Sequence, residues 1–127
     1  MAELALTDAE RSSLLEERAR LAVGRGLGPG AEGHRRSPTC GDEFTVHVGD
    51  VITWEGHGCV VSTAAASALG SLTPAELVEV APRYLASVDP DGEPLDGFEE
   101  FAGIGRFPLR GGCATIAWRA ALDAVGA

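Results

Sequence analysis

The chain of 127 residues has the length of a single domain, and with 45% apolar residues it can bury a core of ordinary size. Its formal net charge of −9 opposes nucleic-acid binding, which needs a basic surface to neutralise phosphates. All ten basic residues are arginine, which excludes lysine Schiff-base chemistry and a Walker-type phosphate lysine, and no apolar run reaches membrane-spanning length.

From the N-terminus, Met1 to Leu6 lack a basic stretch followed by a long apolar one, so no secretion signal is expected and the expected location is cytoplasmic. Thr7-Asp8-Ala9-Glu10 has capping-box spacing, and Leu14, Leu15, Leu21 and Ala22 recur on one face, which predicts a helix to about Val23. Gly24 to Gly33 reads as a flexible linker. It is not a phosphate loop, because it follows a helix where such a loop must follow a strand. A short strand is expected near His34 to Ser37. Phe44, Val46 and Val48 alternate with polar residues, which predicts a half-buried strand. Gly49-Asp50 offers a two-residue turn, with Val51 to Trp54 returning.

Val60 to Leu69 is rich in alanine and predicts a helix opened by Cys59 and closed by Gly70. Thr73-Pro74-Ala75-Glu76 is a second capping box with proline at the first helical position. It predicts a helix to about Ser87, interrupted or restarted near Pro82. Asp89 to Asp96 should form a solvated acidic loop, and Glu99-Glu100 should be solvated too. Phe98 to Ile104 reads as a short helix. Cys113 begins the last helix, with Ile116, Ala117, Ala120 and Ala121 at helical spacing. A helix, an antiparallel sheet of about three strands and then several helices make an α+β fold. It is expected as one domain over 1–127, with the N-terminal helix and linker at about 1–33.

Chemistry concentrates at Cys40, Cys59, Cys113 and Asp42. Each cysteine lies in a turn-rich setting: Pro38-Thr39-Cys40-Gly41-Asp42, Gly56-His57-Gly58-Cys59 and Arg110-Gly111-Gly112-Cys113. Three thiolates and a carboxylate are a complete ligand set for tetrahedral zinc, or a mooring for an iron–sulfur cluster. An odd cysteine count leaves one over in any disulfide scheme. Cys59 and Cys113 fall at expected helix N-termini, where exposed N–H groups favour a thiolate. Gly41 allows Asp42 to turn back toward Cys40. Neither Cys-x-x-Cys nor His-x-x-x-His spacing occurs, so a zinc-ribbon knuckle is not expected. His57 is weighed as a further ligand and read as ordinary. Ser62 and Ser67 are read as packing residues, and Trp54 and Trp118 as core or partner-facing aromatics.

Three blocks in order, Ser37-Pro38-Thr39-Cys40-Gly41-Asp42-Glu43, Glu55-Gly56-His57-Gly58-Cys59-Val60-Val61-Ser62-Thr63-Ala64 and Phe101 to Thr115 with its Arg-Phe-Pro-Leu-Arg-Gly-Gly-Cys-Ala-Thr run, resemble the SufU/IscU/NifU N-terminal domain family of iron–sulfur cluster assembly proteins. The third block and the long interval between Cys59 and Cys113 are closer to SufU. The resemblance implies a compact α+β fold and a zinc-dependent sulfurtransferase that accepts persulfide sulfur from a PLP-dependent cysteine desulfurase. It implies zinc on Cys40, Asp42, Cys59 and Cys113, with Cys40 as persulfide acceptor once a partner histidine displaces it from the metal. Arg110 would pair with Asp42 when ligation changes. A downstream cluster-assembly complex would receive the sulfur, and neither nucleic acid nor membrane is involved.

The chain departs from that family at identifiable places. The usual Tyr and Asp-His-Tyr-x-x-Pro pattern near the N-terminus is missing, Gly112 stands where a basic residue or histidine precedes the last cysteine, and Leu-Pro-Pro-Val-Lys does not occur. Two alternatives therefore accompany the sulfurtransferase reading. One is a scaffold that builds a [2Fe–2S] cluster on the same ligands. The other is a non-catalytic paralogue or regulator in which zinc supports only the fold.

Overall fold

The computed structural model describes residues 6–38, 41–107 and 109–126. Thr7 caps the first helix, α1 (Asp8–Leu21), through the expected box. Thr7 Oγ1 accepts from Glu10 N at 3.1 Å, and Thr7 N donates to Glu10 Oε1 at 2.9 Å. The apolar face is narrower than the leucine spacing predicts: Leu15 is buried, whereas Leu14 and Leu21 are exposed. Arginines supply the remaining anchorage. Arg11 Nη1 donates to the carbonyls of Glu100 and Ala102 at 2.8 and 3.0 Å, and Arg18 donates to the Glu100 carboxylate and to Gly97 O. Glu100 is therefore buried rather than solvated, since the Arg18 guanidinium neutralises it at a site where a lone carboxylate would be costly.

The glycine-rich stretch after α1 is not a free linker. Gly26 N donates to Trp54 O at 2.7 Å and Trp54 N to Gly24 O at 3.0 Å, so the segment docks along the sheet edge. The sheet runs in the order β1 (Ala31–Arg36), β2 (Glu43–Val48), β3 (Ile52–His57), all antiparallel. β1 begins three residues before the expected strand and includes Gly33. A Cβ at Gly33 would collide with the carbonyl oxygen of Ala120, so glycine permits close packing on the last helix.

Register corrects a second expectation. Val48 pairs with Ile52, which leaves residues 49–51 in the turn instead of two. A two-residue turn would pair Val48 with Val51. The one-residue slip turns Val51 outward, at 60% exposed, and brings Ile52 and Trp54 to the core face with Phe44 and Val46.

Helices α2 (Val60–Gly70) and α4 (Arg110–Ala124) cover that face, α1 packs on α2, and α3 (Pro74–Val88) packs on α4. Alanines at 64, 65, 68, 114, 117, 120 and 121 are all buried and let these helices approach closely. Pro82 does not interrupt α3. It lies on an exposed side, while Leu77, Ala81, Tyr84 and Val88 hold the helix to the core. The short helix expected over Phe98 to Ile104 is instead two 3-10 turns, Glu99–Phe101 and Ile104–Arg106, separated by Gly103 at φ 68°. Among the described residues no helix is long and apolar enough to cross a membrane.

His47 ties the glycine-rich segment to the sheet. Its Nδ1 lies 2.6 Å from Gly28 O and its Nε2 2.9 Å from Glu32 Oε1, and both nitrogens can donate only in the imidazolium. The backbone carbonyl first, and Glu32 second, raise its pKa above the ordinary 6.5. A raised folded-state value makes this contribution complete below the unfolded pKa and lost as pH rises through the folded one. The stability difference between wild type and His47→Ala should therefore be larger at about pH 5.5 than at about pH 8.5 in urea titrations. An equal difference at both would remove the imidazolium from the account.

Candidate metal centre

The site lies where the foot of β2 meets the starts of α2 and α4. Ser37 is hydrogen-bonded to both residues that follow Cys40: Gly41 N donates to Ser37 O at 3.2 Å and Ser37 N to Asp42 O at 2.7 Å. Gly41 sits at φ 74°, which a side chain would strain, and so lets the turn deliver Asp42 inward to 6% exposure. Cys59 is the N-cap of α2, with extended backbone and its carbonyl accepting from Thr63 N at 3.0 Å. Cys113 lies one turn inside α4, because that helix starts at Arg110 rather than at the cysteine itself. Its N–H is already spent on Leu109 O at 3.1 Å, so the backbone does not favour its thiolate as it would at a helix start.

A donor atom from each of Asp42, Cys59 and Cys113 lies within 4.8 Å of the others. Asp42 and Cys113 are buried and Cys59 is exposed, so the cluster opens to solvent on one side. Two sulfurs on one tetrahedral zinc stand about 3.8 Å apart, a separation that donors within 4.8 Å of one another accommodate. The environment also fits a cation. Among the described residues, Asp42 Oδ2 is buried without a hydrogen-bond partner, an arrangement costly for a carboxylate unless another group satisfies it. A Cβ at Gly58 would collide with Ser62 Oγ and reach Asp42 Cγ and Oδ2 at 2.8 and 2.9 Å, so the absence of a side chain there is what admits the carboxylate.

No family model matches the chain. It is 31% identical over 106 residues to the iron–sulfur cluster assembly scaffold protein IscU of Streptococcus pyogenes serotype M1, covering 70% of this chain and 65% of that one. It is 30% identical over 103 residues to the zinc-dependent sulfurtransferase SufU of Bacillus subtilis strain 168, covering 66% of this chain and 67% of that one. The chain belongs to the SufU/IscU/NifU N-terminal domain family. It spans about two thirds of the length of these curated relatives. The N-terminal NifU-like protein of Brucella abortus has the same α+β fold, with a TM-score of 0.73 over 89% of this chain and 90% of that one at 19% identity.

Within this SufU/IscU-type fold, the structure brings three of the four sequence candidates together. Cys40 lies outside the described residues. His57 ends β3, is exposed and is not in the cluster. Arg110 opens α4 and lines clefts against α1 with Ser12 and Leu15. Among the described residues it makes no ion pair with Asp42.

Two neighbours were not legible as site residues. Ser62, read as packing, donates to Cys59 O at 3.0 Å and stands 3.6 Å from Cys59 Sγ. Its spacing of three from an N-cap cysteine was the available signal. Gly58 had no signal beyond being a glycine. Behind the site, Tyr84 and Trp118 stack at 3.8 Å. The Tyr84 hydroxyl donates to Ala114 O at 2.6 Å, next to Cys113, and Trp118 Nε1 donates to Ala65 O at 2.9 Å on α2. Burial pushes the Tyr84 pKa well up, so this strut stays neutral and donating.

Proposed function

We propose that this chain is a zinc-dependent sulfur acceptor in iron–sulfur cluster assembly, with Cys40, Asp42, Cys59 and Cys113 as zinc ligands and Cys40 as the reacting thiol. The convergence of Asp42, Cys59 and Cys113 around a buried, unsatisfied carboxylate oxygen carries this reading. The printed description of the Bacillus subtilis relative as a zinc-dependent sulfurtransferase supports it. A bound Zn²⁺ would supply a positive centre that keeps cysteine sulfur as thiolate at neutral pH.

The chain's own residues would then divide the work. Asp42, Cys59 and Cys113 hold position while Cys40 leaves the ligand set. Asp42 suits the exchange, since a carboxylate is a harder ligand than its thiolate neighbours. Cys40 attacks the outer sulfur of a persulfide carried by a PLP-dependent cysteine desulfurase. The donor S–S bond breaks, a new one forms on Cys40, and the donor departs as a thiolate that takes its proton from solvent, so no net electrons move. Arg110, with no ion-pair partner among the described residues, is available to pair with Asp42 as ligation changes. A downstream cluster-assembly complex would take the sulfur.

The test has two parts. Elemental analysis of freshly purified protein should give about one zinc per chain, with Asp42→Ala losing most of it. Incubation with cysteine, PLP and the cognate desulfurase should add one sulfur by mass spectrometry, and Cys40→Ala should abolish it. Unmodified wild type beside its proper desulfurase would overturn the acceptor role. The Streptococcus pyogenes relative, described as a scaffold, favours a second reading in which the same ligands carry a [2Fe–2S] cluster. Anaerobic reconstitution separates the two, since a scaffold takes up iron with visible absorption and a zinc sulfur acceptor does not.

A further inference from the structure

A cleft of about 200 Å³ lies beside the cluster, between the end of β1 and the first turns of α4. Arg35, Arg36 and Arg119 line it, and among the described residues no carboxylate does, in a chain whose net charge is −9. Arg35 is neutralised by Asp123, which accepts from its Nε and Nη2 at 2.6 and 3.0 Å. Arg36 and Arg119 have no ion-pair partner among the described residues. Glu43, opposite Arg36 in the sheet, is held by His34 at 2.6 Å. Asp89 lines an adjoining groove that shares Arg119, and makes no ion pair with it.

Two lining residues, Gly112 and Ser37, adjoin residues of the cluster. Gly112 precedes Cys113, and Ser37 N donates to Asp42 O. Gly112 is exposed, and a Cβ built there would meet nothing within 4 Å. Glycine at this position therefore leaves open space beside the two arginines. A guanidinium pair selects a carboxylate by fork-to-fork hydrogen bonding, and a volume of about 200 Å³ suits a molecule of amino-acid size. Gly112, in the lining, is the residue before Cys113, and a thiol is the group that matches soft sulfur donors.

We propose that the Arg36–Arg119 cleft is a subsite for the carboxylate of a small thiol, an amino-acid-sized molecule whose sulfur faces the Asp42–Cys59–Cys113 cluster. The thiol half rests on the metal reading above; the carboxylate half does not. On the sulfur-relay reading, such a thiol is an acceptor of sulfur: it attacks the outer sulfur of a protein persulfide, the protein S–S bond breaks, and the small molecule leaves as its own persulfide while the protein thiol is restored.

Backbone-amide NMR of the full chain, titrated anaerobically with L-cysteine, propionate, cysteamine and sulfate, tests both halves. L-Cysteine and propionate should each shift the amides of Gly112, Thr115 and Arg119. L-Cysteine should half-saturate at about tenfold lower concentration than cysteamine, the worth of a charge-assisted carboxylate contact. Arg119→Gln and Arg36→Gln, both at exposed positions, should each erase that advantage without altering the folded spectrum. Equal binding of L-cysteine and cysteamine, or tighter binding of sulfate than of either carboxylate, overturns the carboxylate assignment. L-Cysteine binding no tighter than propionate overturns the thiol half. Elemental analysis of the same samples reports separately on the metal, so a failed subsite and a failed metal centre are told apart.

Discussion

Gly58→Ala should bind zinc about 10–100-fold more weakly than the wild-type protein, measured by competition with a chromophoric chelator. The glycine is not needed for its backbone angles, so the new methyl acts through space alone. It would occupy the volume of Ser62 Oγ and press on Asp42 Cγ at 2.8 Å and Oδ2 at 2.9 Å. Ser62 can rotate away at the cost of its bond to Cys59 O, but Asp42 is buried and held from behind by the Ser37–Asp42 turn. The carboxylate must therefore move, and a ligand displaced by a few tenths of an ångström loses the tight geometry that zinc requires. Adding Ser62→Ala relieves only one of the two collisions and should restore only part of the affinity. Wild-type affinity in Gly58→Ala would falsify Asp42 as a ligand.

Trp118→Ala should cost about 3–5 kcal/mol of folding stability in urea titrations. The side chain is fully buried, stacks on Tyr84 at 3.8 Å with rings 6° apart, and donates to the Ala65 carbonyl at 2.9 Å. Its removal leaves a cavity between α2, α3 and α4 and takes the second donor from the Ala65 carbonyl, which keeps its bond within α2. Trp118→Phe separates the two effects. It keeps most of the volume but loses the indole hydrogen bond, at a cost of about 0.5–1.5 kcal/mol. A domain of this size has only about 5–15 kcal/mol in total, so the alanine variant should also loosen the start of α4 and with it Cys113. A loss below about 1 kcal/mol for Trp118→Ala would show that the stack carries little of the stability.

Much of the architecture could be read from local signals. Both capping boxes, at Thr7 and Thr73, form with the expected partners because each is closed within four residues. The alternation at Phe44, Val46 and Val48 placed β2, since a half-buried strand has to alternate. Errors arose where a distant segment decided the outcome. Gly24 to Gly33 has linker composition, yet Trp54 and Ala120 supply an edge and a helix backbone for those glycines to lie against. The 49–51 turn had two possible lengths, and burial of Ile52 and Trp54 beneath the helices selected the longer. Glu100 sits in an acidic stretch, but Arg18, 82 residues away in sequence, draws it inside.

The sequence by itself determined the donor types, their order and the turn or cap settings of Asp42 and Cys59, because ligand chemistry and glycine or cap geometry are properties of a residue and its immediate neighbours. Only the tertiary structure decided that three of those donors meet within 4.8 Å, that Gly58 and Ser62 shape the space around them, and that Arg36 and Arg119 line one cleft. The reason is physical. Segments from the foot of β2, the N-cap of α2 and the first turns of α4 meet only once the sheet face has been buried under α2 and α4, and that burial is set by the whole core rather than by any one stretch of chain.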